Sequence, residues 1–106
     1  MNARMSIPAV LLLLPLALSA AEIGPELWDR PRSAQTVLAS PAVRQAVAAL
    51  QQDASARIMI VHGSRPESQA QAEELRAWLV ALAVESSRLN LRADPAATAI
   101  RLEIAK

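Results

Sequence analysis

The chain has 106 residues, with 11 lysines and arginines against 10 aspartates and glutamates, and no cysteine. That balance makes no electrostatic case for nucleic acid or an anionic membrane surface, and the lack of thiols excludes a disulfide frame and a thiolate zinc site. Phe and Tyr are absent and there are only two tryptophans, so a core must be packed from Ala, Val, Leu and Ile and stabilises the fold by only a few kcal/mol.

The amino terminus carries Arg4, then an apolar run over residues 7–18, then Ser19, Ala20 and Ala21. A basic start, a short apolar stretch and a small-residue exit predict a secretory signal peptide over residues 1–21, cut after Ala21 or one or two residues earlier. The run is shorter than the roughly 20 residues a membrane-spanning helix needs, and Pro8 and Pro15 fit badly in one. Export puts the mature chain in the periplasm or outside the cell. Losing Arg4 with the leader makes that chain formally neutral, and its size of about 85 residues suits one small domain, not two.

Residues 22–39 mix Gly24, Pro25 and Pro31 with charges and have no sustained period, which predicts an irregular arm or a weak first strand. Trp28 is expected to cap the edge of the core. Residues 36–38, Thr-Val-Leu, are either a very short strand or the lead-in to a helix. Residues 40–106 form the single α/β domain. Its first helix opens at Ser40-Pro41, a serine able to cap and a proline suited to the first turn, and Val43, Val47 and Leu50 recur on one face.

Residues 57–62, Arg-Ile-Met-Ile-Val-His, are consecutively apolar in the middle, which predicts a central strand covered on both faces and ended by Gly63. Ser64 and Glu67 have capping-box spacing, with Pro66 between them, and Leu75, Trp78, Leu79 and Leu82 follow the helical period up to Val84. Two strands close the chain, residues 88–92 with Leu89 and Leu91 on one face, and residues 100–104 with Ile100, Leu102 and Ile104 on one face. The segment 93–98 between them is long enough for a hairpin. The expected architecture is a small two-layer α/β sandwich, two helices on a three- or four-stranded mixed sheet, preceded by the signal peptide.

His62 is the one histidine, and it stands where the central strand meets the turn Gly63-Ser64-Arg65-Pro66. A strand ending in His-Gly-Ser-Arg resembles the amino-terminal motif of sirohydrochlorin and cobalt chelatases, which implies a metal-binding or chelatase-type enzyme using His62. The wider order of helix, buried strand, turn, long helix, strand, strand on an exported chain resembles the OmpA-like C-terminal, peptidoglycan-associating domain. In that family a strand runs into Gly-His-Thr-Asp and the next helix holds Leu-Ser-x-x-Arg-Ala, with the aspartate and arginine gripping the diaminopimelate of the wall peptide. Here Arg65 falls near the aspartate's position, and either Arg76-Ala77 matches Arg-Ala or, with the helix exits aligned, Gln71 takes the arginine's position and Ser68 and Ala72 agree.

The main expectation is therefore an exported cell-envelope accessory protein that binds rather than turns over, contacting a peptidoglycan peptide or another envelope protein. Its ligand-binding residues are expected to be His62, Gly63, Ser64 and Arg65 at the amide-rich start of the second helix, with Arg76 as a further member. No triad is legible around His62 and Ser64, the chain has no phosphate-cradling glycine loop, and neither a catalytic residue, a metal ligand set nor a cofactor is assigned.

Overall fold

A computed structural model describes residues 20–106 of the chain; the rest of the expected signal peptide, residues 1–19, lies outside the described residues. In chain order the elements are β1 (Ala20–Glu22), a 3-10 turn (Pro25–Leu27), α1 (Ala34–Leu38), α2 (Pro41–Gln52), β2 (Arg57–His62), α3 (Pro66–Ala81), a second 3-10 turn (Ser86–Arg88), β3 (Leu89–Ala93) and β4 (Arg101–Ala105). The strands form one mixed sheet in the order β1–β4–β2–β3. β2 runs parallel to β3 and antiparallel to β4, and β1 runs antiparallel to β4. The arm thus contains both a short strand and a helix, and Thr-Val-Leu belongs to the helix.

β2 is central because it is the strand that can be buried on both sides. Ile58 and Ile60 face the helices and meet Leu89 and Leu91 across one edge and Ile104 and Leu102 across the other. Ala42, Val43, Ala46 and Leu50 of α2 and Ala72, Leu75 and Leu79 of α3 close that layer. Val61 points the opposite way, yet it is fully buried. Its cross-strand neighbours are Arg92 and Arg101, whose head groups both bond Glu103, at 3.1 and 2.8 Å, so their aliphatic stems lie flat and cover Val61. Arg101 also reaches Asp94 at 3.4 Å.

The expected hairpin between the last two strands does not form. β3 and β4 flank β2 on opposite sides, and the segment 94–100 steps across the carboxyl end of β2. The reason is competition for the apolar strand: β2 offers a buried edge to both neighbours, whereas a β3–β4 hairpin would leave one of its edges unpaired. The crossing is pinned by Asp94 N–H donating to the His62 carbonyl at 2.8 Å. Gly63 is required beneath it, because a Cβ there would sit 2.9 Å from the Ala97 carbonyl oxygen.

The expected caps are also redistributed. Ser40 occupies the N-cap of α2, but its side chain makes no capping bond. Arg65, not Ser64, is the N-cap of α3, and no side chain caps it. Proline at the start explains part of this, since it has no N–H to satisfy. The capping box stands at α1 instead: Thr36 N–H donates to Ser33 Oγ at 3.2 Å and Ser33 N–H donates to Thr36 Oγ1 at 2.8 Å.

α3 ends earlier than the periodicity predicts, at Ala81. Val84 N–H reaches back to the Leu79 carbonyl at 3.0 Å and Ala83 N–H to the Val80 carbonyl at 3.0 Å, a Schellman closure. Ala83 sits at φ 79°, the left-handed position that glycine fills without steric cost. Ala83→Gly is therefore expected to stabilise the fold by about 1 kcal/mol, read as a higher urea midpoint at unchanged m. A lower midpoint would show that the cost of a freer unfolded glycine outweighs the relieved strain.

The arm is tied down by charge. Arg32 makes a two-point contact with Glu74 on α3, Nε to Oε2 at 2.8 Å and Nη2 to Oε1 at 3.0 Å, and its guanidinium lies 5.5 Å from the centroid of the Trp28 ring. Trp78 Nε1 donates to the same carboxylate at 3.1 Å. The Arg32 hydrogen bond holds the Glu74 carboxyl below its usual range, against an opposing push from burial. Trp28 packs half-buried on the core, at the edge position expected of it.

Candidate functional site

Three structural facts converge at the carboxyl end of β2. The parallel pair β2–β3 ends there, α3 begins there without a side-chain cap, and the 94–100 segment crosses overhead. Ligands of open α/β sheets collect at such carboxyl ends, because the chain diverges there to left and right and leaves a crevice. A cleft of about 630 Å³ occupies this place.

One wall is the start of α3, with Gly63, Ser64, Arg65, Glu67, Ser68 and Gln71. The opposite wall comes from the arm, with Ile23, Pro25, Trp28 and Asp29, and the rim from Pro95 to Ile100. Gly63 N–H donates to Ser68 Oγ at 2.8 Å, which ties the turn to the first turn of the helix, and no side chain caps the amides at that start. Those amides and the helix dipole favour an anion. Asp29, Arg65 and Glu67 are all exposed, and none of them enters an ion pair among the described residues. The cleft therefore presents carboxylate and guanidinium groups whose charge is not already used.

The structure brings Gly63, Ser64 and Arg65 together in this cleft. His62 lies beside them in sequence but is buried, 7% exposed, and is not part of the cleft wall. Its Nδ1 is 2.8 Å from the Gly63 carbonyl oxygen; a carbonyl only accepts, so Nδ1 carries the hydrogen. The ring thus closes the strand-to-turn corner. Among the described residues no group of three or more His, Cys, Asp or Glu side chains stands where it could hold a metal ion. Arg76 is about 16 Å along the α3 axis from Arg65, and its Nη2 donates to the Ser86 carbonyl at 3.4 Å, so the structure does not bring it to the cleft.

Asp29 is the residue that sequence reasoning missed. It lies in the aperiodic arm, more than thirty positions before the turn it faces, and no local spacing marks it. A smaller groove of about 260 Å³ lies between the first 3-10 turn and the α1–α2 junction, lined by Leu27, Thr36 and Pro41 among others. It borders the uncapped start of α2 but has less than half the volume of the β2–α3 cleft, and is the weaker candidate.

Fold and site together define a small mixed α/β sandwich with an ionic cleft at the carboxyl end of its central strand. No protein-family model matches the chain, and neither the curated proteins nor the solved structures contain a match to it. Among the described residues no helix is long and apolar enough to cross a membrane.

Proposed function

We propose that this chain is an exported cell-envelope accessory protein, periplasmic or secreted, whose β2–α3 cleft binds the zwitterionic peptide of the cell wall. One observation carries the reading: the cleft offers a carboxylate, Asp29, on one wall and a guanidinium, Arg65, on the other, neither of them in an ion pair among the described residues. A ligand carrying both ammonium and carboxylate needs both partners, and the open start of α3 adds amide donors for the carboxylate. The resemblance to the OmpA-like domain points to the same ligand class, with the charges taken from different positions. Arg65 supplies the cation from the turn, and Asp29 supplies the anion from the arm.

The test is co-sedimentation of the purified chain with peptidoglycan. The chain is expected to pellet, and Arg65→Glu and Asp29→Lys are each expected to cut the pelleted fraction about tenfold in apparent affinity, equivalent to about 1.4 kcal/mol. Arg57→Gln, at the far end of β2 and exposed, is expected to pellet like the parent. If the parent stays in solution while a protein from envelope extract is retained on it, the ligand is that envelope protein and the wall-peptide reading falls.

A further inference from the structure

We propose that Arg32 is a positioning residue of the ligand cleft: its guanidinium fixes the arm segment that carries Asp29 and latches it to α3, so that ligand binding and latch closure are coupled. The inference rests on the ligand reading of the cleft and adds to it the side chain that sets the spacing of its charged walls.

Asp29 stands in a stretch, residues 28–31, that belongs to no helix or strand. A carboxylate on such a stretch keeps a fixed place only where its backbone is bound from outside the stretch. Arg32 binds it on both sides. Nη1 donates to the Arg30 carbonyl at 2.9 Å and to the Trp28 carbonyl at 3.3 Å, and these two residues flank Asp29. Nε and Nη2 meanwhile hold the Glu74 carboxylate, so four of the five guanidinium N–H groups are engaged. Neither Arg32 nor Glu74 lines the cleft. Glu67, Gln71, Glu74 and Trp78 follow one another at helical spacing along α3. The first two wall the cleft, whereas Glu74 takes Arg32 and Trp78 steadies Glu74. The latch thus lies about one turn beyond the cleft on the same stripe of α3, and it sets how far the arm wall stands from that helix.

Glu74 has a second effect. Asp29 is three positions from Arg32, within reach of a free guanidinium, yet it enters no ion pair among the described residues, because Glu74 holds Arg32. The Asp29 carboxylate therefore stays available to a ligand ammonium. Opening the latch frees the wall and also lets Arg32 neutralise that carboxylate. A ligand that bridges Asp29 and Arg65 favours the closed latch, and the closed latch favours the ligand by the same factor.

The experiment compares the parent with Arg32→Lys, Glu74→Gln, Asp29→Asn and the Asp29→Asn, Arg32→Lys double variant by co-sedimentation with peptidoglycan, each first shown to be folded by urea unfolding. Lysine keeps the charge and reaches Glu74, but its one nitrogen cannot also bind the carbonyls on both sides of Asp29. Glutamine keeps an acceptor for Trp78 and releases Arg32 toward Asp29. Each is expected to weaken binding about fivefold. Arg32→Lys is expected to have no further effect once Asp29 is Asn, since Arg32 acts through that residue. Trp28 and Trp78 are the chain's two tryptophans, and both touch the latch, so acrylamide quenching of their emission reports its opening without ligand. Arg32→Lys is expected to raise that quenching while the urea midpoint changes little. Parent-like binding in Arg32→Lys or Glu74→Gln, parent-like quenching, or losses that add in the double variant overturn the inference and leave the ligand reading intact. A parent that stays in solution overturns the ligand reading, and the coupling falls with it.

Discussion

Ile60→Ala is expected to destabilise the protein by about 3 kcal/mol and to lower its melting temperature by roughly 10–20 °C. Ile60 is fully buried on the central strand, between Leu91 and Leu102 on its two neighbours and beneath the helices. The substitution removes three carbons from a layer made almost wholly of Ala, Val, Leu and Ile. No large flexible group is at hand to fill the space, so most of the cavity persists. In a domain this small such a loss is a large part of the total stability. Met59, the preceding residue, points to the outer face and is only half-buried, so Met59→Ala is expected to cost less than about 1 kcal/mol. Urea unfolding of both variants checks the facing. Equal losses at the two positions would contradict the assigned sides of β2.

Arg88→Ala is expected to cost about 2 kcal/mol, through lost hydrogen bonds rather than a lost apolar contact. Arg88 lies in the 3-10 turn before β3, and its half-buried guanidinium donates to three backbone carbonyls: Ala56 at 2.9 Å, Leu50 at 3.1 Å and Asp53 at 2.7 Å. Leu50 is within the last turn of α2, where carbonyls have no partner inside the helix, and a cation there also meets the negative end of the helix dipole. One side chain thus closes the α2–β2 corner from the far end of the sheet. Removal leaves those oxygens partly covered and without a donor, and water replaces the bonds incompletely. Lysine carries the charge on a single nitrogen and cannot span three carbonyls as the forked guanidinium does, so Arg88→Lys is expected to recover less than half of the loss. Faster amide exchange confined to the α2 carboxyl end and the 53–57 turn is the accompanying signature. A lysine variant as stable as the parent would show that charge alone suffices.

Both predictions rest on features of different legibility. The apolar run in β2 marks that strand as the spine of the fold by itself, because only a strand covered on both faces tolerates four consecutive apolar residues. The periodicities of α2 and α3, and the alternation in β3 and β4, are equally local properties and are readable from spacing. The role of Arg88 is not, since its partners are 32 to 38 positions away. The Arg32–Glu74 clamp, 42 positions apart, belongs with it. The capping serine at Ser64 illustrates the same limit within one turn. The spacing Ser64–Glu67 is right, but the helix starts one residue later, and Ser68 bonds the Gly63 amide instead.

The candidate site divides along the same line. The turn Gly63-Ser64-Arg65 was legible because a strand end, a glycine and a helix start are adjacent in the chain, and the cleft does form on them. Its opposite wall was hidden, since Trp28 and Asp29 reach it only after the arm has folded back and been fastened to α3 by the Arg32–Glu74 contact.

From residue 40 onward, element identity and facing were determined by the sequence alone, because side-chain period and backbone preference act over a few neighbouring residues, whereas the strand and helix of the arm were not legible. The order of the strands, the passage of segment 94–100 over β2 in place of a hairpin, and the presence of Asp29 and Arg65 in the wall of one cleft were decided only by tertiary structure. These depend on which distant surfaces compete for the two edges of β2 and for the helix face. That competition is settled by buried area and hydrogen bonding over the whole domain, quantities that no local stretch contains.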